Sequence, residues 1–278
     1  MNSSAAITDY LLGGSEREHE RLTRQARTLA PYTERFFRDA GIRAGQNVLD
    51  VGSGVGDVAL LVAALVGKAG QVVGIDRDST ALDKARERAA SAHLAHLRFA
   101  ETELADLRLD GPFDAIVGRF ILMFLPDPAA TLRALASRLR PGGLIAFQEP
   151  SWASFFPQAQ HLPLHTACGK LVCETLRRGN ARPNMEITLY RGLVANGFQA
   201  PQLRIEVPIA SDPEGRRWLY DLLVTMQSRI EQFGIASNVG DFDTLAGRLE
   251  KELDTTESYV PLVGLVGAWA RMPDRQQN

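Results

Sequence analysis

Cysteine is almost absent: Cys168 and Cys173 are the only two in 278 residues. Two thiols in a chain this long supply neither a disulfide framework nor a four-thiolate metal site, so they read as buried reduced side chains. A basic stripe is missing too. Thirty-one Lys and Arg balance 33 Asp and Glu, for a net charge of −2, and no cluster forms the electrostatic footprint of a nucleic-acid binder. Long apolar runs are lacking: the longest, Val58 to Val66, is far short of the roughly 20 residues that cross a bilayer. The first residues, "MNSSAAITDYLLGGSEREHE", have no basic head followed by an apolar stretch, so a cytoplasmic protein with no membrane partner is expected. No repeat or low-complexity tract appears.

What is present is hydrophobic enough, at 45%, for one large globular unit. Apolar residues recur at helical spacing through "ERLTRQARTLAPYTERFFRDAG" and stop at Gly41, which predicts a helical N-terminal cap over 1–40. Strand and helix then alternate strictly. A strand around Asn47–Val51 is followed by a helix near Val58–Val66, the strand "QVVGID", a helix over "STALDKARERAAS" and the strand "LRFAE". The strand "FDAIVGRF", a helix over "PAATLRALASRLR", the punctuation "PGG" and the strand "LIAFQE" follow. This is the pattern of right-handed crossovers in a doubly wound α/β sheet, with 41–150 as its core. From Ser151 the periodicity loosens, and 151–200 is expected as a helical lid inserted over the site. Residues 201–278 complete the sheet and pocket with the strands "QLRIEVPIA" and "YVPLVGLVGAWA" and helices over "GRRWLYDLLVTMQSRIEQF" and "FDTLAGRLEKEL".

In "VLDVGSGVGD" a strand ends in a tight glycine turn that opens a helix. Gly52 permits the sharp turn and Gly54 removes a side chain where a ligand must lie. A dinucleotide fingerprint would place a third glycine at position 57, where this chain has Asp57. A carboxylate at a helix start repels pyrophosphate, so a cationic or zwitterionic ligand, S-adenosylmethionine rather than NAD, fits better. Asp76, 20 residues past Gly56, is placed to grip ribose hydroxyls.

The segments "VLDVGSGVGD", "VVGID", "LRFAETELADL", "FDAIVGRFILMFLPDP" and "LRPGGLIAFQEP" resemble, in order and spacing, the successive motifs of class I S-adenosylmethionine-dependent methyltransferases. The resemblance implies a Rossmann-like seven-stranded, mostly parallel sheet with a reversed final hairpin. It implies that Asp50, Gly52, Ser53, Gly54 and Gly56 hold the methionine part of S-adenosylmethionine, that Asp76 binds the ribose, and that Arg77 flanks the adenine. Glu103, where the family usually has Asp, would contact the adenine amino group, with the Leu104 N–H nearby. Gly118 and Arg119 would line the methyl-transfer path. The N-terminal "YLLGGSEREHERLTRQ" is similar to a segment of a bacterial small-molecule subgroup, in which Tyr10 and Gln25 close over the cofactor carboxylate. Each role has a plainer alternative: Asp50 capping its loop, Arg119 pairing with a surface carboxylate, Tyr10 anchoring the extension.

Where many relatives carry His-Leu, this chain has Phe124-Leu125, so a base from that position is absent. His161 and His165 in "HLPLH" are the candidates instead. Their spacing is also that of metal ligands on a helix, but Pro163 interrupts and no third ligand is identifiable, so no metal is expected. Trp152, Phe155, Phe156, Tyr190, Trp218 and Tyr220 are expected to build an aromatic pocket, although aromatics at helical spacing are also ordinary core. Arg177, Arg178 and Arg182 either meet an anionic group or are simply solvated. "GRFILMF" lacks the Asn/Asp-Pro-Pro-aromatic loop of members acting on adenine or glutamine. The expectation is methyl transfer to a hydrophobic or aromatic small molecule, with a homodimer as the assembly to test. The alternatives are a nicotinamide oxidoreductase, opposed by Asp57 and the lack of a Tyr-xxx-Lys pair, and a cofactor-binding cyclase or regulatory module of the same fold.

Overall fold

The computed structural model describes residues 16–104 and 111–274. The sheet is built as the alternation requires. Helix α1 (Glu16–Ala40) precedes β1 (Asn47–Val51), α2 (Asp57–Val66), β2 (Gln71–Asp76), α3 (Ser79–Ser91) and β3 (Leu97–Glu101). Then come β4 (Phe113–Arg119), α4 (Pro128–Ala136) and β5 (Leu139–Ser151). The second half holds α5 (Trp152–Ala159), α6 (Pro163–Arg178), α7 (Glu186–Ala195), β6 (Gln202–Glu206) and β7 (Ile209–Ala210). Last are α8 (Pro213–Gln232), α9 (Phe242–Thr255), β8 (Val260–Pro261) and β9 (Gly264–Arg271).

The seven-stranded sheet runs β3-β2-β1-β4-β5-β9-β6. The first five strands are parallel, and β9 inserts antiparallel between β5 and β6. Strand order reverses between β1 and β4, which makes their carboxyl ends the ligand crevice of an open α/β sheet.

Side chains alternate across the sheet with period two. Val48, Val72, Ala115, Val117, Leu144 and Ala146 face α1 and α2. Leu49, Val51, Ile75, Ile116, Ile145 and Phe147 face a second core that runs without a break into α4 to α9. Small residues on the first face let α1 approach closely: a Cβ on Gly267 would meet the Phe36 ring, which sits edge-on to Trp269 at 5.7 Å.

Three expectations are corrected in detail. "PGG" lies inside β5, where register jumps from Phe113↔Leu139 to Ala115↔Leu144, so it punctuates as a bulge. "QLRIEVPIA" breaks at Pro208, which has no N–H for a ladder but accepts from Leu262 N. Its second half, β7, pairs with β8 in a separate ribbon. Finally, the helices of 151–200 do not share one location. α7 lies on α4 and β9, while α5 and α6 join α8 and α9.

Candidate functional site

The glycine turn closes β1 with φ of +70° at Gly52 and +51° at Gly54, a region L side chains avoid. Gly52 is bare because a Cβ there would lie 2.7 Å from Ile121 Cγ1. Gly54 differs: apart from its chain neighbours, no atom of the described residues lies within 4 Å of where its Cβ would sit. The turn is stitched to β2 by Gly52 N–H and Ser53 N–H, both donating to Ile75 O at 2.9 Å, and by Gly54 N–H donating to Asp76 Oδ2 at 2.8 Å. Asp76 Oδ1 accepts from Asp78 N–H at 3.0 Å. Its carbonyl accepts from Thr102 N–H at 3.0 Å, drawing the end of β3 to the same place.

Asp50 is fully buried on β1. Ser53 Oγ–H donates to its Oδ2 at 2.9 Å, and Oδ1 is buried without a partner among the described residues. Burial pushes the carboxyl up to about 7, against the pull of the Ser53 hydrogen bond and of Arg119. A buried acceptor left unmade costs about 1–3 kcal/mol, so this oxygen has hydrogen-bonding capacity that the described residues leave unused. Arg119, at the end of β4, is half-buried and donates from Nη1 to Thr33 Oγ1 at 3.0 Å. That hydroxyl in turn donates to Gln148 Oε1 at 2.8 Å. Burial lowers the Arg119 guanidinium from its ordinary value while Asp57 and Asp50 raise it.

Asp57 itself is turned away from the role expected of it. Its carboxylate is in charge contact with Arg88 Nη2 at 2.7 Å, and Arg88 Nη1 donates to Val55 O at 2.6 Å. With its charge met by α3, Asp57 repels little, and the choice against a dinucleotide rests on Asp50 and the open space instead.

The remaining expected residues divide. Arg77 and Glu103 are exposed beside Asp76 and the end of β3, and Leu104 is half-buried against the second core. Gly118 is packed shut: a Cβ would lie 2.6 Å from Phe147 Cε1. Gln25 is half-buried on α1 and its Oε1 accepts from Arg21. Tyr10 lies outside the described residues. Trp152, Phe155, Phe156 and Trp218 form one aromatic cluster, with ring centroids 5.3 to 6.2 Å apart. Tyr220 stands half-buried under the Arg217 guanidinium, whose carbon lies 5.3 Å from the ring centroid. Tyr190 does not join them. It is 46% exposed, because α7 turns Leu189 and Leu193 inward and leaves the next position facing water.

Pro163 starts α6 and separates the two histidines. His161, exposed, shares a hydrogen bond with Ser258 Oγ at 2.6 Å. His165 is fully buried, with Nδ1 2.7 Å from Glu252 Oε2 and Nε2 without a partner among the described residues. Burial lowers its value, partly offset by Glu252. No group of three His, Cys, Asp or Glu that could hold a metal occurs among the described residues. Nor does a helix long and apolar enough to cross a membrane. Arg182 meets no anion: it donates to Leu125 O at 2.6 Å and to Pro126 O at 2.8 Å.

Sequence reasoning missed Thr33, Gln148 and Glu149. A carboxylate within the apolar run "LIAFQEP" was the available signal for the last, because a lone buried charge needs partners.

A family model described as a methyltransferase domain matches residues 42–216, more than half of the chain. The chain belongs to this methyltransferase family. Its seven-stranded, mostly parallel sheet with antiparallel β9 between β5 and β6 is the fold that the sequence resemblance implies. The methyltransferase is similar to the demethylmenaquinone methyltransferase of Staphylococcus aureus (strain MRSA252), at 31% identity over 121 residues, 43% of this chain and 49% of that one. The chain thus spans about half the length of the curated relatives it matches. Among solved structures, a putative methyltransferase from Bacillus halodurans C-125 superposes with TM-score 0.57 at 15% identity, covering 87% of this chain and 98% of that one. The cyclase SpnF superposes with TM-score 0.53 at 19% identity, covering 88% and 81%. At such identities both show the shared fold alone.

Proposed function

We propose that this methyltransferase transfers the methyl group of S-adenosylmethionine to a hydrophobic, aromatic or quinone-type small molecule. The observations that carry this are the unpartnered buried Oδ1 of Asp50 on β1 and the bare glycine bend that follows it at Gly52 to Gly56, at the crevice where strand order reverses. A zwitterionic amino-acid moiety fits there, its ammonium meeting Asp50 and its backbone neighbours being Gly52 to Gly56. Asp76 keeps further lone pairs for the ribose hydroxyls beyond the two it gives to backbone N–H groups. Arg77, Glu103 and Leu104 border the adenine side. When bound, S-adenosylmethionine supplies an activated methyl on a sulfonium, so the protein's contribution is mainly to hold donor and acceptor in line and keep water out.

Trp218, Phe156 and Phe120, half-buried against the second core and backed by the buried Trp152 and Phe155, are the aromatic side chains we assign to the acceptor side. The resemblance to a demethylmenaquinone methyltransferase supports a quinone-type ring as the first acceptor to try. If the acceptor arrives protonated, His165 is the candidate base: Glu252 holds Nδ1 and leaves Nε2 as the lone-pair nitrogen. His161, engaged with Ser258 at the surface, has no such role. A radiolabelled-methyl assay with reduced naphthoquinones, phenols and terpenoids tests the reading. Transfer to one class supports it, and His165→Gln should flatten the pH profile of a phenolic acceptor without changing cofactor affinity. Cofactor binding with no transfer to any acceptor favours a non-methylating module of the same fold.

Protonation of Asp50 gives a second expected result. The ammonium needs the charged carboxylate, and Asp50 takes up its proton near pH 7. Affinity for S-adenosylhomocysteine should therefore fall as pH drops through that value, approaching about tenfold per unit below it. Without ligand the sign reverses, because the buried anion destabilises the fold as pH rises from the ordinary carboxyl range through 7. Asp50→Asn should remove both slopes. Calorimetric titrations and thermal melts between pH 5.5 and 8.5, on an order-of-magnitude scale of about 1–3 kcal/mol, check this, and pH-independent affinity would remove Asp50 from the site.

A further inference from the structure

Between β4 and α4 the chain makes a turn whose own hydrogen bonds are two, from Phe124 N–H to Ile121 O at 3.1 Å and from Leu125 N–H to Leu122 O at 3.2 Å. Phe120 takes φ of +55°, an uncommon and strained value for an aromatic residue. Residues Leu122–Phe124 then form one 3-10 turn without a side-chain cap of its own. The orphan N–H groups at its start are satisfied from 26 to 28 residues away. Glu149, fully buried on β5, accepts from Ile121 N–H at 3.0 Å and Leu122 N–H at 2.9 Å through Oε1, and from Met123 N–H at 3.2 Å through Oε2. Phe120 N–H donates to the carbonyl of the preceding β5 residue, Gln148, at 3.0 Å.

The carbonyl end is held by the opposite charge. Arg182 donates from its guanidinium to Leu125 O and Pro126 O, and its backbone N–H donates to Met123 O at 2.9 Å. An anion at the N–H end and a cation at the C=O end match the partial charges of a helical turn. The turn's outward product is Ile121, whose side chain lies over Gly52, where even one added carbon would be 2.7 Å from it. The clamp therefore acts on the glycine bend through the apolar contact of Ile121.

We propose that Glu149 is a positioning residue for the cofactor site: with Arg182 it fixes the turn 120–126 so that Ile121 braces the Gly52 bend. This rests on the reading that the cofactor occupies that bend. A turn of this length needs no buried anion for its own sake, since a serine or asparagine beside it would cap it. A carboxylate buried with only N–H partners is costly, and burial holds this one up at about 7 despite all three hydrogen bonds. What the charge adds is hold on three consecutive N–H groups at once.

The test compares Glu149→Gln and Arg182→Ala with the wild type, using amide hydrogen exchange and calorimetric titration with S-adenosylhomocysteine. The amide of Gln keeps one acceptor and turns an N–H₂ toward the remaining donors. Exchange at residues 121–123 should rise by about tenfold or more, on the scale of one or two lost charge-assisted hydrogen bonds. Exchange in β1 and α2 away from the bend should stay put, and S-adenosylhomocysteine affinity should fall by a similar factor. Glu149→Asp, which cannot reach all three groups, should fall between. A folded Glu149→Gln with unchanged exchange at 121–123, or with faster exchange there and undiminished affinity, overturns the proposal. Should Glu149→Gln fail to fold, Arg182→Ala decides on the same two readouts, because its contacts lie at the turn's half-exposed end. A wild type that does not bind S-adenosylhomocysteine at all refutes the cofactor reading, and the exchange comparison still decides whether the clamp exists.

Discussion

Asp76→Ala should weaken binding of S-adenosylhomocysteine by about 100-fold, or close to 3 kcal/mol. The loss has two parts. The ribose hydroxyls lose charge-assisted hydrogen bonds, each worth about 1.5–3 kcal/mol. The glycine bend loses its tie as well, because Asp76 Oδ2 accepts from Gly54 N–H at 2.8 Å and Oδ1 from Asp78 N–H at 3.0 Å. The second part is visible only in the structure, and it makes the effect larger than a ribose contact alone would give. Asp76→Asn separates the two: it retains an acceptor for one N–H and should lose about tenfold, the charge-assisted share. Calorimetry reads both, and an Asp76→Ala affinity within threefold of wild type would take this residue out of the site.

Gly54→Val should abolish cofactor binding, with a loss above about 1,000-fold, while the protein stays folded. At φ of +51° a β-branched residue is strained by about 1–3 kcal/mol, which lowers the melting temperature by a few degrees. Among the described residues beyond its chain neighbours, no atom lies within 4 Å of the added Cβ to resist the new side chain. It simply occupies the space the ligand needs. Gly52→Ala makes the contrast: its Cβ would lie 2.7 Å from Ile121 Cγ1, so stability should suffer first and binding as a consequence. If Gly54→Val binds S-adenosylhomocysteine like the wild type, the open space is not the cofactor's.

The elements that the sequence specifies most plainly are those decided by neighbours in the chain. Helix α3 was legible to the residue as Ser79–Ser91, because Asp78 caps Ala81 N–H at 3.1 Å and the apolar spacing ends where it should. Strands β1 and β2 were equally legible, since a run buried on both faces has little else to be. The bend between β1 and α2 followed from its glycines. What was not legible depends on partners distant in sequence. Nothing near Asp57 announces that Arg88 will meet its charge, and nothing near Ile121 announces Glu149. Periodicity gives the face of a helix but not what that face meets. Tyr190, therefore, could be placed on α7 but not judged to be on its outer side, while Trp152 and Trp218, 66 positions apart, come within 5.7 Å. The break at Pro208 was readable in principle, because a proline in the middle of a strand argues against one continuous strand.

The most direct measurement is a crystal structure grown with S-adenosylhomocysteine. The sulfur and amino-acid end should lie across Gly52 to Gly56 with the ammonium on Asp50 Oδ1, and the ribose hydroxyls should sit on Asp76. The ligand bound anywhere else, or an Asp50 oxygen still unpaired beneath an occupied crevice, would contradict the assignment of this bend as the donor site.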